Sequence, residues 1–398
     1  MAQMLDMNKV NLPKEEPDFY AGDILHEKKI HKFNLVMEEN NLDAIILTKD
    51  EAVRYLTDFY TKGFRPFKEI EYAVVMAKGK EPILCYSSGS DTFRVKMRNV
   101  VNDYRKLPKM NQWHQFFGDI LKELGISKGV IGVDLLPHNV FVGLRDRFPN
   151  IEFLDVNNIW GDMVAIKEPE EIEIIKQSCT IVEMGLAAAK KALRVGISEV
   201  EISAEAEYAM RRAGSEFVPF LPDVASGYNS AIFARLASPK KKLRYGEFVI
   251  VDVGAVNKGY TAEFCRTFIL GEASPLQKKI YRACYDSICE TVNAVKPGIT
   301  CDRLDAVSRE IIVKHGFEPY QHRWATGHQV GFALHGEPLI AEGEMAVLKP
   351  NMVINVEPRV TMYDNFTVGG VMLEQCVLVT ENGAELLSKF EFEKSLLE

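Results

Sequence analysis

Four carboxylates lie within or at the ends of apolar, strand-like segments, and this feature constrains the fold of the chain more than any other. The segments are 243–270, 352–361 and 371–379, and the carboxylates are Asp252, Glu263, Glu357 and Glu374. Burying a lone ionised carboxylate costs several kcal/mol unless a cation compensates it. Arg266 or Arg359 would be sufficient for one of them. For four together, shared divalent metal is the simplest compensation, because hard oxygen ligands suit Mn, Fe or Co, and Zn is also possible.

The distribution of apolar residues divides the chain near residue 160. A chain of 398 residues exceeds one ordinary core, which predicts two domains. Residues 1–160 alternate between helix-like and strand-like segments, and this pattern predicts an α/β domain. Residues 161–398 begin with two long helices, followed by β-rich segments and one helical stretch at about 275–315. Helix and strand are segregated there, which predicts an α+β domain.

Charge and cysteine content exclude several classes of protein. The net charge is −8, so no general electrostatic attraction to nucleic acid or an anionic membrane is expected. The sequence has no apolar stretch near the ~20 residues of a membrane span, no secretory signal in residues 1–13, and no glycine-rich phosphate loop. Seven scattered cysteines without a Cys-x-x-Cys pair are typical of free thiols in a reducing compartment. We therefore expect a cytoplasmic protein.

A histidine joins the four carboxylates in chain order. His328 lies in the segment Thr326-Gly-His-Gln-Val-Gly331; taken alone, a histidine beside glycines is more often structural than catalytic. The order Asp252, Glu263, His328, Glu357, Glu374 resembles the five-ligand signature of the pita-bread metallopeptidases, a group that includes methionine aminopeptidase, aminopeptidase P and prolidase. The 11 residues from Asp252 to Glu263 and the 29 from His328 to Glu357 match the family pattern.

The resemblance extends over the whole chain. The first part is similar to the N-terminal domain of creatinase, prolidase and aminopeptidase P, and Ala165-Ile-Lys-Glu-Pro-Glu-Glu-Ile172 is similar to the family's entry into its catalytic domain. The resemblance therefore implies a smaller α/β creatinase-type domain over residues 1–160. It implies an α+β catalytic domain with the pita-bread fold over residues 161–398.

The resemblance also implies a metal centre. Two divalent ions (Mn, Co, Fe or Zn) would balance the four carboxylates beside one neutral histidine. By position, Asp252 would chelate one ion, His328 and Glu357 would hold the other, and Glu263 and Glu374 would bridge them.

Two residues have implied catalytic roles. Glu357 would accept a proton from the attacking water and pass it to the leaving group. His335 would hydrogen-bond the substrate carbonyl or the oxyanion, and the alternative for His335 is a packed histidine outside the reaction.

Several positions depart from the family pattern. The second ligand is Glu263 where the family has aspartate, and the extra methylene bears on metal spacing and occupancy. Ala234 and Trp324 stand where the peptidases have histidines, and Leu339 stands where prolidase and creatinase have an arginine for the substrate carboxylate. A replacement cation would then come from Arg65, Arg235 or Arg323.

Two further segments are candidates for substrate binding. Phe64-Arg65-Pro66 is similar to the creatinase loop that carries Phe and Arg into the partner subunit's site, which implies a homodimer; the alternative is a solvated arginine on a loop. Trp324, with Tyr228 and Phe233, would form an aromatic wall or belong to the core.

These observations predict a metal-dependent hydrolase that resembles Xaa-Pro dipeptidase or aminopeptidase P and cleaves a peptide bond next to proline. A second hypothesis is a small-molecule enzyme on the same scaffold. It would be a C–N hydrolase like creatinase or a lyase like the one that splits dimethylsulfoniopropionate. A third hypothesis is a catalytically inactive binding module, against which the retention of all five ligands argues.

Overall fold

The structure is a computed structural model that describes residues 20–59, 70–89, 91–98, 101–232, 236–321, 324–365 and 367–398. It divides into two compact units, Met1–Met163 and Val164–Glu398. Within the described ranges, none of the helices combines the length and apolar character that crossing a membrane would take. All seven cysteines are free thiols.

The first unit is built on one mixed sheet. Its described elements are α1 (Asp23–Glu39), β1 (Ala44–Leu47), α2 (Asp50–Thr57), β2 (Tyr72–Ala77), β3 (Ile83–Tyr86), α3 (Asp91–Arg98), β4 (Asp103–Lys106), α4 (Trp113–Glu123), β5 (Gly129–Val133), α5 (His138–Arg147), β6 (Ile151–Asp155) and α6 (Asn157–Ala165). The strand order is β4-β3-β2-β1-β5-β6. Strand β2 pairs antiparallel with β1 and β3, whereas the other pairs are parallel. Every residue of β1 is buried, as expected for a central strand covered on both faces.

The second unit begins with two long helices and continues into strands. Its described elements are α7 (Pro169–Ala192), α8 (Glu199–Arg212), β7 (Asp223–Ser226), β8 (Phe248–Asn257), β9 (Tyr260–Ile269), α9 (Pro275–Ala294), α10 (Cys301–Lys314), β10 (Gly327–Gln329), β11 (Gly336–Ile340), β12 (Val353–Val356), β13 (Arg359–Thr361), β14 (Gly370–Met372), β15 (Gln375–Val379) and β16 (Ala384–Leu386). The strands form the sheets β7-β8-β9, β11-β10-β12-β15-β16 and β13-β14. Helices α9 and α10 pack with these strands around one apolar core.

The single helical stretch expected at about 275–315 is wrong in one respect, because the structure has two helices there. Helix α9 ends at Ala294 and α10 begins at Cys301. The intervening Pro297 has no backbone N–H to continue a helix. Gly298 has a φ of +90°, a left-handed conformation that favours glycine and reverses the chain.

Strands β8 and β9 form a long hairpin with an unbroken register. Phe248 pairs with Ile269 at one end, and Asn257 pairs with Tyr260 at the other. The two turn residues, Lys258 and Gly259, both have positive φ (49° and 84°), as a type I′ turn requires. This turn matches the twist of the strands and therefore sets which residues of β8 and β9 face each other.

A buried carboxylate outside the predicted metal ligands organises one edge of the second unit. Glu199, the first residue of α8, is fully buried. Its oxygens accept hydrogen bonds from Ser226 N–H (2.7 Å), Ser226 Oγ (2.8 Å), the Asn229 side-chain amide (2.9 Å) and Ser238 N–H (3.0 Å). Glu199 therefore ties both ends of the segment 226–238 to helix α8.

We expect Glu199→Ala to lower the free energy of unfolding by about 3 kcal/mol or more, because several buried donors would lose their acceptor. Urea denaturation measures this value. The exposed Glu205 on the same helix provides the control, and Glu205→Ala should change stability by no more than about 0.5 kcal/mol. Equal stability of the two variants would contradict the role of Glu199.

Candidate metal centre

The β8–β9 hairpin carries the first two predicted ligands. Asp252 pairs with Cys265, and Glu263 pairs with Gly254. Residues two apart on a strand, and residues directly opposite in an antiparallel pair, lie on the same face of a sheet. Asp252 and Glu263 therefore point to the same face. Asp252 Oδ1 and Glu263 Oε1 are buried, and neither has a hydrogen-bond partner among the residues that the structure describes.

His328 lies on the short strand β10, between β11 and β12. It pairs with Leu339 on β11 and Asn355 on β12. The preceding Gly327 allows a close approach of the backbones, because a Cβ there would lie 2.0 Å from Asn355 O. His328 Nδ1 is 3.1 Å from Gln329 O. A proton on Nδ1 would bond that carbonyl and leave the Nε2 lone pair free for a metal.

Glu357 and Glu374 each stand beside a strand end. Glu357 follows β12, and its N–H donates to Thr326 O (2.7 Å). Glu374 lies between β14 and β15, and its N–H donates to Cys265 O (3.2 Å), which links it to the hairpin. Within the described part of the chain, Glu374 Oε2 is also buried without a hydrogen-bond partner. Both carboxylates thus start from backbone fixed by sheet pairing.

The side chains converge in two groups that share His328. Ligand atoms of Glu263, His328 and His335 lie within 4.8 Å of one another, and so do those of His328, Glu357 and Glu374. His328 Nε2 is 3.4 Å from Glu263 Oε1 and 3.6 Å from Glu357 Oε1. Among the described residues, Asp252 belongs to neither group.

Asp252 is nevertheless close enough to interact with these groups electrostatically. Burial raises the pKa of Asp252 to about 7; the Asp223 carboxylate also raises this pKa, whereas Arg359 lowers it. Burial likewise raises the pKa of Glu357 to about 8, with Arg359 lowering it and Asp252 raising it. Proximity of like charges in a desolvated place opposes ionisation of both groups.

Glu263 and Glu374 show the same effect more strongly. Burial first, and then the Asp252 carboxylate, raises the pKa of each well above its ordinary value. Arg266 does not pair with these carboxylates in the part of the chain that the structure describes. Its guanidinium instead donates to the carbonyls of Phe390, Cys265 and Glu374 and to the Gln375 side chain. The simple ion pair considered for Arg266 is therefore not formed.

The two histidines are held neutral. Burial lowers the pKa of His328 to about 3, and the neighbouring His335 also lowers it. Burial lowers the pKa of His335 as well. The rings meet edge to face, with centroids 4.5 Å apart, and His335 Nε2 is 3.8 Å from Glu263 Oε1. Because neutral imidazole is the form that binds metals, these residues fit a divalent cation compensating the carboxylates.

Of the predicted substrate-binding residues, the structure describes Trp324. Phe64, Arg65, Arg235 and Arg323 lie outside the described residues, as do Ala234 and Phe233. Trp324 is described and its side chain is 52% exposed, so it is not a core residue. Leu339, at the position of the family's arginine, is directly opposite His328 in the sheet.

Sequence reasoning missed two polar residues beside the cluster. Asp223 on β7 pairs with Asp252 across the sheet. Asn355 on β12 is fully buried, and its side-chain amide donates to Glu263 O (3.1 Å). The only sequence signal for Asn355 was a polar residue inside the apolar run that ends at Glu357.

Comparison with known proteins agrees with this geometry. Residues 173–381 match metallopeptidase family M24, and residues 29–163 match the creatinase/prolidase N-terminal domain. The chain is 30% identical to the Xaa-Pro dipeptidase of Pyrococcus horikoshii over 371 residues, covering 93% of this chain and 99% of that protein. It is also 30% identical to the Xaa-Pro dipeptidase of Pyrococcus furiosus over 369 residues, covering 92% and 99%.

Solved structures show the same relationship. The prolidase of Pyrococcus horikoshii aligns with a TM-score of 0.80 at 28% identity, over 92% of this chain and 99% of that one. The X-Pro aminopeptidase of Thermotoga maritima aligns with a TM-score of 0.79 at 25% identity, over 92% and 98%.

Fold and site together define a two-part metallohydrolase, with a creatinase-type domain preceding a catalytic domain. The chain belongs to metallopeptidase family M24. The predicted pita-bread fold, the creatinase-type N-terminal domain and the hydrolase class are confirmed. The predicted use of divalent metal is confirmed at the level of the family.

We expect the metal-free protein to lose stability as pH rises from about 5 to 8. Asp252 and Glu357 have pKa values of 3.8 and 4.5 when unperturbed and of about 7 and 8 in the folded chain. Between these values the folded state binds more protons than the unfolded state, so rising pH favours unfolding. Urea midpoints across this range, measured in chelator, would test the slope.

The variant Asp252→Asn should lose the free energy of unfolding less steeply as pH rises, by up to about 1.4 kcal/mol per pH unit. The reason is that the variant releases one proton fewer on unfolding. The exposed Glu205→Gln is the matched control and should retain the wild-type slope. Identical slopes for Asp252→Asn and wild type would show that Asp252 keeps an ordinary pKa.

Proposed function

We propose that this protein is a metal-dependent dipeptidase that hydrolyses the bond between a residue and a following proline. The observation that supports this most directly is the cluster of carboxylates around neutral His328. Three of the carboxylate oxygens are buried and have no hydrogen-bond partner among the described residues. The relatives named Xaa-Pro dipeptidase, aligned over most of the chain, supply the substrate class.

The proposed site holds two divalent ions of Mn, Co, Fe or Zn. Four carboxylates carry four negative charges when ionised, and two divalent ions would balance them. Asp252 would bind one ion, and His328 and Glu357 would bind the other, with Glu263 and Glu374 bridging. Asp252 lies outside both compact groups of described residues, but it lies on the same face of the hairpin as Glu263.

Divalent ions in such a site polarise the scissile carbonyl and lower the pKa of a water molecule. The side chains of the protein would transfer the protons and orient the substrate. Glu357 accepts the proton of the attacking water and delivers it to the proline nitrogen as the peptide bond breaks. His335, half-exposed beside Glu263, donates a hydrogen bond to the substrate carbonyl as negative charge develops on its oxygen.

Cationic side chains outside the set of metal ligands would recognise the substrate. Leu339 occupies the family's arginine position and cannot bind a carboxylate. Arg65, Arg235 and Arg323 remain the proposed replacements, and Phe64 with Arg65 would enter the site of a second subunit in a homodimer. Trp324, about half exposed, would contact the substrate through its ring.

We expect Glu357→Gln to lower kcat for Xaa-Pro dipeptides by about 100-fold or more, because a general base contributes on that scale. Metal content and hydrolysis of Xaa-Pro dipeptides and longer Xaa-Pro peptides would be measured with Mn, Co and Fe. Glu216→Gln is a matched control: this half-buried carboxylate accepts from Gly259 N–H (2.9 Å) and lies outside the metal-binding groups. Unchanged kcat in Glu357→Gln would refute the proposed base.

A second candidate is a small-molecule enzyme that acts on a non-peptide substrate, as a C–N hydrolase or a lyase. The observation in its favour is Leu339 directly opposite His328, which places an apolar side chain where a carboxylate-binding arginine would stand. Two bound metal ions without cleavage of any Xaa-Pro peptide would favour this candidate, whereas cleavage of Xaa-Pro dipeptides would exclude it as the main activity.

A further inference from the structure

Helix α10 carries an ion pair between the buried Asp305 and the partly buried Arg309. Asp305 is 1% exposed, and its Oδ2 accepts from Nε of Arg309, one helical turn later (2.5 Å). Desolvation makes a buried ion pair poor evidence for a gain in stability. Its second carboxylate oxygen, Oδ1, accepts the hydroxyl hydrogen bond of Thr326, which lies outside the helix.

Thr326 is fixed by three hydrogen bonds that lead in different directions. Its hydroxyl donates to Asp305, its N–H donates to Ile340 O (2.7 Å), and its carbonyl accepts from Glu357 N–H (2.7 Å). Thr326 directly precedes Gly327, which pairs with Val356, the residue before Glu357. The hydroxyl therefore links Thr326 to helix α10, whereas its backbone groups link it to the strand segments around β11 and β12.

The same region of the molecule contains a narrow cavity beside Glu357. Arg309, Thr326, Glu357 and Arg359 are among the residues that line it. The cavity is small, about 10 Å³, so it leaves little room for the Glu357 backbone to move. The Thr326 carbonyl fixes that backbone directly, because it accepts a hydrogen bond from Glu357 N–H.

We propose that Asp305 and Thr326 are positioning residues: through the Thr326 hydroxyl, helix α10 fixes the backbone that carries Glu357 and so holds its carboxylate in register with His328. This inference rests on the proposed function for its catalytic consequence, but the positioning itself is independent of the substrate. Groups that orient metal ligands from behind commonly change metal affinity or activity by about 10–100-fold when they are removed.

The test compares Thr326→Val with Thr326→Ser in the full-length protein. Valine keeps the shape of threonine and removes the hydroxyl, whereas serine keeps the hydroxyl. Thr291→Val is the matched control, because Thr291 is also fully buried and its hydroxyl donates to Ser287 O within helix α9 (2.7 Å). The measurements are Mn²⁺ affinity without substrate, kcat and KM for an Xaa-Pro dipeptide, and the thermal unfolding midpoint.

We expect Thr326→Val to weaken Mn²⁺ binding and lower kcat by about 10-fold or more, with KM within about twofold of wild type. Thr326→Ser should restore both values to within about threefold. Thr291→Val should change neither value, because the Thr291 hydroxyl bonds only a carbonyl of its own helix in the described structure. Wild-type Mn²⁺ affinity and kcat in Thr326→Val, or equal losses in Thr291→Val, would overturn the proposal.

The two proposals fail separately. If the wild-type protein cleaves no Xaa-Pro peptide, the proposed function is wrong, and the Mn²⁺ affinities of the three variants still decide the positioning role. If the wild type cleaves Xaa-Pro dipeptides and Thr326→Val matches it in affinity and kcat, only the positioning role is wrong.

Discussion

Repulsion among carboxylates that share one desolvated place is the interaction on which the catalytic unit depends. Asp252, Glu263, Glu357 and Glu374 each have a raised pKa because burial and neighbouring negative charge oppose ionisation. A chain keeps such an arrangement only where a rigid backbone prevents the side chains from separating. Two of these residues lie on a long hairpin and the other two beside strand ends, so sheet pairing provides that rigidity.

Much of the site could be predicted from sequence because its ligands stand out chemically from their surroundings. A carboxylate inside an apolar strand is conspicuous, and four of them in a fixed order with one histidine resemble a known ligand signature. That resemblance implied the pita-bread fold, and the similarity of the first part of the chain implied the creatinase-type domain; both are confirmed. The specific ligand roles stay predictions.

Other features were not accessible in this way because they depend on contacts between distant segments. Asp305 and Thr326 are ordinary polar residues in the sequence, and only the packing of α10 against the sheet brings them together. The division of the stretch 275–315 into two helices is a different case, because Pro297 and Gly298 are a local signal that the prediction of one helical stretch did not use. The separation of Asp252 from the compact groups around His328 depends on side-chain geometry alone.

The two-residue turn at Lys258 and Gly259 limits the insertions that the protein can tolerate. Side chains on a strand alternate between faces, so a one-residue slip moves every residue of that strand to the opposite face. An insertion between Lys258 and Gly259 that shifted the pairing would therefore turn Asp252 and Glu263 away from each other, although neither ligand was altered. Loop tips usually accept insertions. A change of length at this turn would instead displace two predicted metal ligands.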